Sequence, residues 1–466
     1  MKKTALTLLS ALISMVSFSQ EITGHWNGLL KVQGTRLKLV FNITKTEKGF
    51  AATMDSPDQG AKDIPVTTVS FDNATLKMTI ANASVEYEGT LGKDRLITGN
   101  FKQGGQSFPL DLSEGEIKAE KPLRPQEPLQ PFPYYSEEVT FENKPAGITL
   151  AGTLTLPKKE GNFPVVVLIS GSGPQDRNEE LLGHKPFLVL SDYLTKNGIA
   201  VLRFDDRGIA GSKGDFGSAT SLDFASDVEA GVKYLQTRKE INKKKIGLMG
   251  HSEGGMIAPM VASKSKDIAF IALLAGPGLP GDELLILQLQ LLGKASGQSE
   301  AEYGKAADFN KGAFAIVKAA SDQEKLKTDL TAYVTKSLKE NPNGPKPEGM
   351  SDDELSNIIY GQIAGPWMQY FLKYNPAAVL EKVKCPVLAI NGDKDLQVPS
   401  KQNLPAIKEA LRKGGNKKGT IIELPGMNHL FQECKTGFTD EYGTIEQTIS
   451  PIALNEILNW VKAVTK

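Results

Sequence analysis

The chain has 466 residues, 40% apolar and 23% charged, with 54 Lys and Arg set against 54 Asp and Glu. That composition suits a soluble globular protein of two or three domains and excludes a disordered chain. Zero net charge removes the electrostatic footprint that nucleic-acid binding needs, and two cysteines with four histidines exclude a disulfide scaffold and a Cys-rich zinc site.

At the N-terminus, Lys2 and Lys3 precede an uncharged apolar stretch from Ala5 to Phe18, with Ser17 and Ser19 at the cleavage-specifying positions. This is the pattern of a secretory signal peptide over residues 1–19. Its apolar stretch of about 14 residues falls short of the roughly 20 that span a bilayer. A secreted or periplasmic protein without a membrane span is expected. Export permits a bond between Cys385 and Cys434. Cys385, however, opens a buried-strand pattern in which a thiol packs as a small hydrophobe, so two free thiols are expected.

Residues 20–115 alternate apolar and polar, as in Leu37-Lys38-Leu39-Val40-Phe41 and Leu76-Lys77-Met78-Thr79-Ile80, with turn signals at Asp72-Asn73 and Gly104-Gly105. Short strands at this spacing predict an antiparallel β-barrel or sandwich. Residues 116–133 carry five prolines and read as a semi-rigid linker. A chain beginning near Pro133 is therefore expected to fold and keep its activity.

Residues 134–466 read differently. Continuous apolar runs (Val165 to Ile169, Ile199 to Leu202, Ile246 to Met249, Ile268 to Ala275, Val387 to Ile390) alternate with helical stretches. That rhythm means a parallel sheet covered on both faces. Residues about 279–380 break it with helices alone, the pattern of a lid over the carboxyl edge of the sheet.

Gly250-His251-Ser252-Glu253-Gly254 follows the strand Ile246 to Met249 and opens a helix. This is G-x-S-x-G in its required context, where the glycines let a strained turn lift the Ser hydroxyl above the sheet. The backbone N–H of Glu253, at the helix start, can face a developing oxyanion. A Ser needs a base, and by position only His429, in the loop after Thr420 to Glu423, can reach it. The loop after Ile390 supplies two acids to orient that imidazole, Asp393 and Asp395. The loop Ser170-Gly171-Ser172-Gly173 stands where the second oxyanion donor is expected, at Ser172 with Gly173 as the alternative. Gly276-Pro277-Gly278-Leu279-Pro280-Gly281 matches a dinucleotide fingerprint, but prolines stand where N–H donors are needed, so it reads as a turn. No cofactor and no metal are expected.

These motifs resemble the α/β-hydrolases. The elbow GHSEGG and the loop ISGSGPQDRNE are similar to those of bacterial carboxylesterases close to the prolyl-aminopeptidase-like serine hydrolases. The resemblance implies a Ser252, Asp395 and His429 triad, because the acid falls on the second Asp of Gly392-Asp393-Lys394-Asp395-Leu396-Gln397-Val398-Pro399. It implies a serine carboxylesterase acting on a small-molecule ester, with an aminopeptidase or amidase using the same triad as the rival. In a third, non-enzymatic reading the β domain is a binding module and the hydrolase a relic. Substrate specificity and oligomeric state stay open.

Overall fold

The computed structural model describes residues 22–32, 35–47, 49–57, 61–103, 106–114, 123–340 and 351–466. The signal-peptide segment and the first part of the proline-rich segment lie outside them. The chain divides into two compact units, Met1–Ala119 and Glu120–Lys466.

Among the described residues, the first unit has ten strands: β1 (Gly24–Val32), β2 (Thr35–Thr46), β3 (Gly49–Ser56), β4 (Ala61–Pro65), β5 (Thr68–Asp72), β6 (Thr75–Ile80), β7 (Val85–Leu91), β8 (Leu96–Gln103), β9 (Gln106–Pro109) and β10 (Leu112–Glu114). Strand β7 shows why the sequence builds this unit. Val85, Tyr87, Gly89 and Leu91 are buried while Glu86, Glu88 and Thr90 face water, the two-residue period of a half-buried strand. The strands form one antiparallel sheet in the order β4-β3-β2-β1-β10-β8-β7-β6-β5, with β9 on β8. Strands β3 and β5, near opposite edges, approach each other, so the sheet curls as a half-closed barrel. Of the two expected forms, barrel and sandwich, the barrel is the one the strands take, half closed. Trp26, Phe41, Leu76, Tyr87 and Ile97 fill the core, each such side chain contributing roughly 1.5–3 kcal/mol on burial.

The second unit is an α/β-hydrolase fold. Its sheet comprises β11 (Tyr135–Asn143), β12 (Ile148–Leu156), β13 (Phe163–Ile169), β14 (Ala200–Phe204), β15 (Ile241–His251), β16 (Phe270–Leu274), β17 (Val387–Gly392) and β18 (Gly419–Leu424). They lie in the order β11-β12-β14-β13-β15-β16-β17-β18. The pairings from β14 onward are parallel. Loops after β13, β15, β17 and β18 therefore leave the same edge of the sheet. Strands such as β14, β16 and β17 are buried at every residue, because helices cover both faces: α2 (Ser221–Thr237), α3 (Glu253–Ala262) and α10 (Ser400–Lys413) on one, α1 (Pro186–Lys196) and α11 (Pro451–Val464) on the other.

Between β16 and β17 the described residues form six inserted helices, α4 (Gly281–Ala295), α5 (Glu300–Ala319), α6 (Gln323–Glu340), α7 (Asp352–Ile363), α8 (Pro366–Lys373) and α9 (Pro376–Leu380). Capping boxes start α5 (Ser299 with Glu302) and α7 (Ser351 with Glu354), which satisfies N–H groups that have no partner within the helix. The Gly276–Gly281 segment is the turn into α4, its Gly278 and Leu279 N–H groups donating to Asn403 Oδ1. No helix of the described residues is long and apolar enough to cross a membrane.

Residues 123–133, read above as linker, are fastened to this second unit. The Arg124 guanidinium donates to the carbonyls of Leu182, Gly183, Gly443 and Ile445. Gln126 donates to the Ile449 carbonyl and accepts the N–H groups of Thr448 and Ile449. The side chains between the prolines make this segment a strap rather than a spacer.

Candidate active site

Ser252 stands between the last residue of β15 and the first of α3, at φ 52° and ψ −117°. A non-glycine residue holds that strained conformation only where its surroundings enforce it, and here the neighbouring glycines do. A Cβ on Gly250 would lie 1.9 Å from the Gly254 carbonyl oxygen, and one on Gly254 would lie 2.1 Å from that of Ile169. The elbow is pinned by Ser252 N–H donating to the Leu274 carbonyl at 2.9 Å.

His429 follows β18 and Asp395 follows β17. His429 Nδ1 donates to Asp395 Oδ2 at 2.7 Å, both side chains buried. Asp395 Oδ1 accepts the N–H groups of Gln397 and Val398, each at 2.8 Å, which fixes the carboxylate. Asp393 accepts Gly426 N–H at 2.6 Å instead and serves the turn after β18. With Nδ1 committed to Asp395, Nε2 is the nitrogen left to act as base.

The ring of His251, one residue before Ser252, lies 4.7 Å from that of His429, and its Nε2 donates to the His429 carbonyl at 3.0 Å. The elbow and the His429 loop are therefore tied together. His184 is buried, bonded to Thr448 Oγ1 and the Tyr442 carbonyl, and burial holds it below the usual imidazole range. His25 is exposed and bonds Asn42.

The loop after β13 runs beside the elbow, so that a Cβ on Gly171 would sit 3.3 Å from Ser252 Cβ. Gly171 N–H donates to Glu179 Oε1 at 2.7 Å, so it is not free to meet an oxyanion. Gly173 takes φ +94°, a left-handed conformation that favours glycine. Carboxyl groups hold the loop. Asp206 accepts from the Ser170 hydroxyl at 2.7 Å and from Gln175 N–H at 2.9 Å, while Arg177 pairs with Asp205 at 2.7 Å. Burial opposes ionisation of Asp205, but the Arg177 bonds win and keep it below the usual carboxylate range.

Glu253 turns its side chain away from solvent. Its Oε1 accepts from the Ser221 hydroxyl at 2.5 Å and from the Trp367 indole of α8 at 2.8 Å, and burial pushes the carboxyl up despite both donors. Around it, Trp367 stacks on Phe371, and Leu285, Trp367 and Tyr370 pack against the core under the insertion. The bond from a helix inserted far along the chain to the residue after Ser252 has no sequence signal. The part of Glu179 also escaped the sequence reading. The visible cue was its place at the end of the loop motif ISGSGPQDRNE.

A family described as X-Pro dipeptidyl-peptidase (S15 family) matches residues 146–423. The esterase EstD of Thermotoga maritima is 26% identical over 337 residues, covering 71% of this chain and 70% of that protein. Among solved structures, the α/β hydrolase GrgF of a Penicillium species aligns with TM-score 0.42 and 17% identity, over 71% of this chain and 98% of its own. Est1E of Butyrivibrio proteoclasticus aligns with TM-score 0.39 and 16% identity, over 70% and 97%.

Proposed function

We propose, from the premise that this chain belongs to the X-Pro dipeptidyl-peptidase (S15) family, that it is an exported serine carboxylesterase taking short- to medium-chain acyl esters. The coarser statement, a serine hydrolase acting on esters or peptides, is the ground on which that reading stands. The observation that carries the reading is the buried Asp395–His429 pair beside an elbow that presents Ser252.

In this reading His429 Nε2 removes the Ser252 Oγ proton as Oγ adds to the ester carbonyl. The Ser172 and Glu253 N–H groups receive the oxyanion, and Asp395 stabilises the imidazolium. The C–O bond then breaks, the alcohol leaves with the proton from His429, and water repeats the sequence on the acyl-enzyme. The inserted helices act as a lid, with Leu285, Trp367 and Tyr370 as the apolar wall for the acyl group.

Esters are favoured over peptides with a free N-terminus by one observation. A free ammonium needs a carboxylate aimed at it, and the nearest candidate, Glu253, is 3% exposed and already bonded to Ser221 and Trp367. Of the insertion's acids, Glu302 and Glu354 cap helices and Asp282 pairs with Lys318 at 2.5 Å. The test is labelling by a fluorophosphonate probe, with turnover of p-nitrophenyl butyrate against Pro-anilide. Wild type should be labelled and Ser252→Ala not, and the ester should have the higher kcat/KM. Labelling of Ser252→Ala would place the nucleophile elsewhere, and a preferred Pro-anilide would overturn the ester. Export is tested by the N-terminus of the mature protein, expected near Gln20.

A further inference from the structure

Resting on the ester-hydrolase reading, we propose that Glu179 and His251 form a second carboxylate–imidazole pair, kept as carboxylate and imidazolium, that positions the oxyanion loop and the His429 loop against the elbow.

The argument is one of donors and acceptors. His251 Nδ1 lies 2.9 Å from Glu179 Oε1, and Nε2 lies 3.0 Å from the carbonyl oxygen of His429. A backbone carbonyl only accepts, and so does an ionised carboxylate. Glu179 Oε1 also receives Gly171 N–H at 2.7 Å. A neutral imidazole has one N–H and one lone pair, so either tautomer would aim a lone pair at an acceptor. The doubly protonated ring satisfies both contacts.

The charges around the ring fit that state. Burial by itself lowers the proton affinity of His251. The charge and hydrogen bond of Glu179, the His429 carbonyl and the charge of Asp395 outweigh it and hold the imidazole above its ordinary range. Glu179 comes from the loop after β13, Asp395 from that after β17 and His429 from that after β18. Asp206 and Glu253 join the same cluster through their charges. Glu179 itself sits at φ +53°, a left-handed conformation unusual for a glutamate and a sign that its side chain is required where it points.

Three chain segments meet on this pair: Gly171, one residue before the oxyanion donor Ser172; the elbow residue preceding Ser252; and the carbonyl of His429. One carboxylate and one ring thus set the distance between donor, nucleophile and base. Glu179 and His251 are positioning residues, acting through Ser172 and His429 rather than on substrate.

The direct test is nitrogen NMR of full-length enzyme labelled at histidine, which has four imidazoles. His251→Gln identifies the His251 signals by their loss. Both ring nitrogens of His251 should be protonated at pH 7, and Glu179→Gln should convert the ring to a neutral form. A neutral His251 in wild type at pH 7, with the shared proton on Glu179, overturns the proposal. This readout needs no turnover, so it is separate from the ester reading, which rests on the Ser252 probe. In kinetics, Glu179→Gln should lower kcat for p-nitrophenyl butyrate by about 10- to 100-fold with little change in KM, and move the acid limb of the kcat profile. Glu179→Asp should recover part of kcat. A kcat for Glu179→Gln equal to wild type also overturns the proposal.

Discussion

Two loop systems meet at Ser252, and they are braced by different chemistry. The loop after β13 is held by acidic and basic side chains: Arg177 on Asp205, Asp206 on Ser170 and Gln175, and Glu179 on Gly171 and His251. Around the His429 loop the contacts are mostly with backbone and neutral amides. Asn428 Oδ1 accepts Leu430 and Gln432 N–H, Gln432 bonds His184, and Arg124 and Gln126 grip the backbone between residues 443 and 449. The difference teaches a division of labour. In the proposed mechanism the base changes protonation at every turnover, and apart from Asp395 and His251, which bond His429 itself, its loop is held mainly by backbone and amide groups that carry no titrating proton. A loop that only presents N–H groups tolerates charges, and gains rigidity from them.

The comparison is broken most severely at the base. Asp395→Asn should cost roughly 10³–10⁴ in kcat, as expected when the carboxylate orienting a catalytic imidazole is lost. Asp393→Asn, two residues away, should cost far less, because Asp393 serves only the turn at Gly426. Steady-state kinetics of the two variants decides, and a reversed order would assign the orienting role to Asp393.

Next comes the strap. A chain beginning at Pro133 loses Arg124 and Gln126 and with them the grip on residues 443–449. It should be less active than one beginning at Glu120, contrary to the behaviour expected of a plain linker. Arg124→Ala alone should lower Tm by about 5 °C, since a charged donor to several part-buried carbonyls is worth about 1.5–3 kcal/mol. Equal activity and Tm in both truncations would show that the strap does not support the site.

The smallest effect is expected on the charge-braced side, from Asp206. Burial, with the charges of Glu253 and Glu179 adding to it, pushes this carboxyl up to about 7 from an ordinary 3.8, although Ser170 and Gln175 bonds pull the other way. Folded protein therefore holds a proton that the unfolded chain has released. The stability this confers is complete below pH 3.8 and is lost as pH rises through about 7. Asp206→Asn removes that dependence, so its Tm relative to wild type should improve between pH 4 and pH 8. A constant difference across that range would refute the raised carboxyl.

Local chemistry carried much of this protein's organisation. The two-residue period of strands such as Val85–Leu91 and the continuous apolar runs at Val165–Ile169 and Val387–Ile390 announce two different kinds of sheet, because burial on one face or on both is written into consecutive side chains. The elbow was equally legible, since only glycine fits where Gly250 and Gly254 approach other backbone. Single sheet against sandwich was not legible, because the pairing that curls β3 toward β5 joins strands distant in the chain. Which acid meets His429 also had to be decided in space: from residues alone Asp393 and Asp395 are equivalent, and only the register of β17 beside β18 turns one toward the ring. The strap contacts of Arg124, the Glu253–Trp367 bond and the Glu179–His251 pair span 58 to 321, 114 and 72 residues. Side chains so far apart share no local pattern, and only the packing of parallel strands, which brings their loops to one edge, places them in contact.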